Sequence, residues 1–304
     1  MNLNVRNMSY DVIRIVALMM IVMVHVSAYM VIFFPNTSEP EWLVGNLFNG
    51  LVRAGVPMFV MLSGALLLKE DKAFDTKLFY KRNLLTMVFI TVVWLVIYGL
   101  FYSFILPALE GKPIEMMDFL LFLFTFKGAN YSHLWYMFMV IGMYVMIPVL
   151  RLFVKRENKQ YIMGIIVASL IFQYGTTTLD FFTRNFYISF GDLLGKFYMQ
   201  PATGFIGLLL LGWYLGEYMP QKRTRIILYF AGLAMLIAST LSVYFKIDDV
   251  PNIRDYMYEA LTLPAFVYSA ALFVFLKLLF CEKIHKANFW RRFQIAVSEF
   301  ILFM

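Results

Sequence analysis

Arg14 and His25 stand eleven residues apart in an apolar stretch in which Ile15 to Val24 includes no polar side chain. At about 100° per helical residue that spacing returns to within about 20° of one stripe, with about 16 Å of rise between the two groups. Asp11, one turn before Arg14, joins the same stripe. Ionisable groups in a membrane-length helix are costly to insert and mark a functional site by default. The residue types also restrict the chemistry. Histidine titrates near neutrality and suits a general base, whereas arginine suits an anionic group entering from the cytoplasm. The structural alternative has Arg14 snorkelling to the interface and His25 hydrogen-bonding a neighbouring helix.

A second cluster is Arg53-Ala54-Gly55-Val56-Pro57-Met58-Phe59, continuing to Leu62-Ser63-Gly64. Arg53 is expected at a depth close to that of His25, and two such groups at one depth call for a polar cavity. Pro57 has no N–H for the carbonyl of Arg53, four residues back, so a kink is expected there. Alternatively, Arg53 snorkels outward and Pro57 only packs. A third cluster, Ser132-His133-Leu134-Trp135-Tyr136, reads either as an interfacial aromatic belt or as an acceptor-sugar site lined by His133 and Trp135. Glu217 and Glu259 read as solvated helix-end charges. Cys281, the single cysteine, reads as incidental. The chain has no GxxxxGK[ST], HExxH or GxSxG motif, and its 3 histidines are too scattered to argue for a metal site, so no metal is expected.

The elements that must position these groups are helices in a membrane. The chain has 304 residues, 62% hydrophobic and 15% charged, with mean hydropathy +0.73. Soluble domains carry about a quarter charged residues, so the chain reads as a polytopic membrane protein among membrane lipids. The net charge of +7 does not imply nucleic acid, because the charges fall in short clusters between apolar runs. Spans of about twenty apolar residues are expected at 12–34, 46–68, 84–107, 133–150, 161–179, 199–218, 226–245 and 259–280. A ninth helix begins near Phe293 and is cut short at Met304; a short interfacial or re-entrant helix covers 119–126. The fold expected is therefore an all-α polytopic bundle of eight full transmembrane helices plus a truncated ninth, forming one domain over 1–304.

Most Lys and Arg outside the apolar runs fall on one side, in the loops around Arg6, Lys69 to Arg82, Arg151 to Lys159, Lys222 to Arg225 and Lys283 to Arg292. The positive-inside rule then puts the N-terminus in the cytoplasm, and the protein multi-pass in the plasma (inner) membrane. Val26-Ser27-Ala28 faintly resembles a signal-peptide cleavage site. The barely basic region before it and the long apolar stretch favour a retained helix.

Asp11-Val-Ile-Arg14, the ten residues to His25, and Arg53-Ala-Gly-Val-Pro-Met-Phe to Ser63-Gly64 resemble the acyltransferase-3 family of integral-membrane O-acyltransferases. Ser132-His133-Leu134-Trp135-Tyr136 and Leu211-Gly212-Trp213-Tyr214-Leu215-Gly216 resemble further stretches of that family, so the likeness covers essentially the whole chain. The resemblance implies transfer of an acetyl or other short acyl group from acyl-CoA, usually acetyl-CoA, to a hydroxyl of an envelope glycan or its lipid-linked precursor. It implies His25 and Arg14 as catalytic residues, with Asp11, Arg53, Ser63, His133 and Trp135 around substrate or CoA. The family's late motif begins here only as Val297-Ser298-Glu299-Phe300, so a domain lacking its C-terminal end is expected, with activity impaired if the missing part completes the site. The alternatives are a transporter or flippase for a small solute or lipid-linked sugar, or a membrane sensor or inactive fragment. Against transport stand the absence of an inverted repeat and the specific two-helix motif.

Overall fold

The computed structural model describes residues 8–32, 38–71, 73–114, 116–124, 134–183, 200–245 and 258–282. Among the described residues the regular structure is helical, with no strand. The helices are α1 (Met8–Ile32), α2 (Glu39–Val52), α3 (Gly55–Leu67), α4 (Thr76–Leu109), α5 (Met116–Phe124), α6 (Leu134–Phe153), α7 (Lys159–Ser169), α8 (Thr176–Thr183), α9 (Gln200–Glu217), α10 (Lys222–Tyr244) and α11 (Leu263–Glu282). Seven segments are long and apolar enough to cross a membrane: Met8–Val31, Glu39–Leu67, Thr76–Leu109, Leu134–Phe153, Arg156–Asp180, Lys222–Tyr244 and Leu263–Phe280. They coincide with seven of the eight expected spans. The eighth, expected at 199–218, is α9, whose apolar part Gly204–Glu217 is shorter. The short helix expected at 119–126 is α5; the expected ninth helix lies outside the described residues.

Large apolar side chains such as Phe89 and Phe230 stand exposed on these helices, as a lipid-facing surface requires. The chain divides into two compact units, Met1–Lys69 with Lys159–Met304, and Glu70–Asn158. In the second unit α4, α5 and α6 pack around Leu95, Phe122 and Leu134. Tyr102 stacks on Phe122 with ring centroids 6.4 Å apart, and Tyr80 donates to the Val145 carbonyl at 2.9 Å.

The first unit is organised by close backbone approach. A Cβ on Gly64 would collide with the Leu209 carbonyl, and one on Gly212 with the Met61 carbonyl, so α3 and α9 cross with backbone against backbone. Only glycine permits that distance, and small residues are the usual means by which membrane helices approach closely. Met58, Met61, Leu62, Leu208 and Trp213 close over the crossing as buried side chains. The α2–α3 span is broken at Arg53 and Ala54 rather than merely bent. Pro57 cannot donate to the Arg53 carbonyl, α3 restarts with Met58 N–H bonded to the Ala54 carbonyl at 2.9 Å, and the Arg53 N–H turns back to Gly50.

The α3–α9 crossing predicts a contrast between two glycines. Gly212→Ala is expected to cost about 1–3 kcal/mol through overpacking. Gly164→Ala, where a Cβ meets nothing within 4 Å, should be neutral or stabilising by about 0.5–1 kcal/mol, as for any exposed helical glycine. Thermal unfolding in detergent checks both, and equal midpoints would contradict the crossing.

Candidate functional site

Three contacts fix how the helix carrying Arg14 and His25 sits in the first unit. Gly45 packs against Met30, Asn49 reaches Ser27 and Val24, and Gly55 lies against Ala17 and Ile21. Ascending numbers on α2 and α3 meet descending numbers on α1, so the two run antiparallel. Between these contacts Arg53 falls level with Ile21 and Val22, about one turn before His25. The same register carries Ser63 and Ala65 to the other end, where Gly216 lies close to both Ala65 and the Tyr10 hydroxyl.

The Arg14 end is charged. Arg14 Nη1 donates to Asp11 Oδ1 at 3.1 Å across one turn, with the Asp11 side chain 9% exposed and that of Arg14 33% exposed. The expected grouping of Asp11 with Arg14 is therefore an ion pair. On α11, Lys277 donates from Nζ to the carbonyls of Leu215 and Gly216 at 2.8 and 2.7 Å. It thereby caps the negative end of α9, where the last helical carbonyls lack intrahelical donors. Ser63 Oγ donates to the Phe59 carbonyl in its own helix at 3.0 Å.

The His25 end is polar and gathers around the Arg53 guanidinium. Arg53 Nε donates to Asn49 Oδ1 at 2.7 Å and Nη1 to the Tyr258 carbonyl at 2.7 Å, with the guanidinium 4.8 Å from the Tyr258 ring centre. Asn49 Nδ2 donates to Ser27 Oγ at 3.0 Å, and Ser27 passes its own proton to the Met23 carbonyl at 2.9 Å. The Tyr258 hydroxyl donates to Asn46 Oδ1, and Asn46 Nδ2 donates to the Thr240 carbonyl at 3.1 Å. Burial pushes the Tyr258 phenol above its ordinary pKa, while the neighbouring Arg53 charge works against that shift. The phenol thus stays protonated and available as a donor. His25 itself presents an exposed side chain on α1.

Between the two ends α1 is apolar, packed on α3 at Ala17 and Ile21 and exposed at Met19, Val22 and Met23. A Cβ on Gly55 would lie 2.9 Å from Ile21 Cγ1 and 3.1 Å from the Ala17 carbonyl. The arrangement is thus a charged end and a polar end joined by an apolar stretch packed on α3 along one face.

Trp135 lies in the second unit, 38% exposed and edge-on to Tyr136 at 6.2 Å. His133 lies outside the described residues. Among the described residues no three His, Cys, Asp or Glu side chains group to hold a metal. Sequence reasoning missed Asn46, Asn49, Ser27, Tyr258 and Lys277. The first two were detectable, because Asn46, Asn49 and Arg53 recur at helical spacing within an apolar span. Tyr258 carried no signal, as its partners lie about two hundred positions away in sequence.

The acyltransferase-3 family model, described as an acyltransferase domain, matches residues 7–297, a stretch that includes both ends of the site. No curated protein and no solved structure matches the chain.

The polar end predicts unequal costs for its two aromatic–cation partners. Arg53→Met leaves the Asn49 and Tyr258 acceptors without their donor, at about 1–3 kcal/mol for each. Tyr258→Phe keeps the ring under the guanidinium and loses the hydroxyl's bonds to Asn46 and Thr240, so its cost should be about 1 kcal/mol. Thermal midpoints of the two variants in detergent should rank in that order.

Proposed function

The chain belongs to the acyltransferase-3 family, and we propose that it is an O-acetyltransferase of a cell-envelope glycan or its lipid-linked precursor. It is a multi-pass membrane acyltransferase acting on an acyl-CoA donor; acetyl as the acyl group and a glycan as acceptor are the finer reading. The observation that carries it is Arg14 and His25 on one α1, an ion-paired cation at one end and, at the other, an imidazole about one turn from the level of a second cation, Arg53. In the proposed orientation the N-terminus is cytoplasmic, so the Arg14 end faces the compartment that supplies CoA.

Arg14 would hold phosphate oxygens of CoA, for which its planar fork is suited. Asp11 holds the guanidinium in place at the helix face. The thin pantetheine arm would bring the thioester along α1 to His25. There the imidazole takes the proton of the acceptor hydroxyl as its oxygen attacks the thioester carbonyl. A C–O bond forms, the C–S bond breaks, and the imidazolium returns the proton to the departing CoA thiolate. Positive charge on Arg53, about one turn away, would stabilise the tetrahedral oxyanion. Asp11 and Ser63 belong to the donor end on this reading.

Two variants test the roles. His25→Ala should lower acetyl transfer by about 100-fold or more with membrane insertion intact; unchanged transfer would sink the assignment. Arg14→Lys should raise the KM for acetyl-CoA roughly tenfold, since a point charge replaces a fork. Acetyl-CoA affinity equal to wild type would remove that role. Mass spectrometry of envelope glycans from cells with and without the gene reads the acceptor directly, as one acetyl group per modified repeat unit. Solute uptake without acetyl-CoA consumption would favour transport instead.

A further inference from the structure

Asn49 uses its whole amide at once. Its Oδ1 accepts from Arg53 Nε at 2.7 Å, and its Nδ2 donates to Ser27 Oγ at 3.0 Å and towards the Val24 carbonyl at 3.5 Å. The arginine donor fixes which way round the amide sits, since guanidinium has no acceptor. The side chain is completely buried, so each of these bonds is made without competition from water. Val24 and Ser27 bracket His25 on α1. Ser27 lies two residues, or about 200° of helical rotation, beyond His25, so the two project from opposite sides of the helix. Holding Ser27 against α2 therefore sets the direction in which His25 faces.

We propose that Asn49 is a positioning residue: it locks the rotation of α1 at the His25 turn and couples that turn to Arg53. The inference rests on the acyl-transfer reading only for its catalytic consequence; the lock itself is a statement about α1. Asn46, one turn earlier on α2, is bonded to Thr240 and Tyr258, so α2 has one amide for α1 and another for α10. Without the Asn49 grip, α1 would keep its apolar contacts at Ala17, Ile21 and Met30. Those contacts are non-directional, and a small axial rotation costs them little. The hydrogen bonds supply the angular restraint that apolar packing lacks.

The chain has only 3 histidines, so the imidazole signals of isotope-labelled protein can be assigned by deleting His25. Asn49→Ala and Ser27→Ala should each shift the His25 resonance. Asn46→Ala, which breaks the α10 side of the network, should not move it. Ser27→Ala removes only a hydroxyl and leaves the Asn49–Arg53 bond, so it stands in should Asn49→Ala fail to fold. In acetyl transfer, Asn49→Ala should lower kcat by about 10-fold to 100-fold with KM for acetyl-CoA unchanged. The double variant with Ser27→Ala should be little worse than Asn49→Ala alone, because both act through one contact. An unmoved His25 resonance in folded Asn49→Ala or Ser27→Ala would overturn the lock, as would kcat losses that multiply in the double variant. Full transfer by His25→Ala would instead defeat the acyl-transfer reading, leaving the resonance experiment to decide the lock on its own.

Discussion

A guanidinium or ammonium near the middle of a membrane helix costs about 2.5–3.5 kcal/mol to insert on biological scales, and water is not there to solvate it. Three cations of this chain lie within its apolar runs: Arg14, Arg53 and Lys277. Each is met by protein oxygen: the Asp11 carboxylate, the Asn49 amide with the Tyr258 carbonyl, and the last carbonyls of α9. Supplying those oxygens dictates much of the first unit. Lys277 ties α11 to the end of α9, and Arg53 ties the broken α2–α3 span to the turn that precedes α11. Such bonds add little net stability relative to an apolar replacement, but removing one partner leaves a buried group exposed to its full desolvation cost. They act chiefly as restraints on which arrangement of helices is allowed.

The glycines make that arrangement possible. The Gly64 and Gly212 crossings bring α3 onto α9, and Gly55 brings the start of α3 onto α1 between Arg14 and His25. Without hydrophobic gain between helices in lipid, close packing and hydrogen bonds must hold the bundle. Here the two are separated in space. Backbone contact fills the middle of α1, and polar bonds lie at its ends.

Much of this was readable in the sequence, for reasons that can be named. The apolar runs located the helices because lipid demands length and composition that soluble folds do not. The stripe carrying Asp11, Arg14 and His25 followed from helical periodicity within one element, and the break at Arg53 from the missing N–H of Pro57. Partnership between elements was harder to read. That Tyr258 would bond Arg53 and Asn46, or that Lys277 would cap α9, depends on contacts spanning tens to hundreds of residues. Such contacts leave no periodic trace in one chain. Ser63 shows the converse: a residue prominent in a motif proves to bond its own helix, beside the glycine on which the α3–α9 crossing depends.

The contrast between Arg53 and His25 bears on how such a site could work. Arg53 is held by two hydrogen bonds and a tyrosine face, so its charge stays fixed. His25 has an exposed side chain on a helix whose neighbouring residues are gripped through Asn49 and Ser27. A group that must accept and return a proton has to reach a substrate, whereas a group that stabilises developing charge is most effective when it need not reorganise. Fixing the cation directly and the turn that carries the imidazole through Asn49 and Ser27 serves both requirements with one polar network.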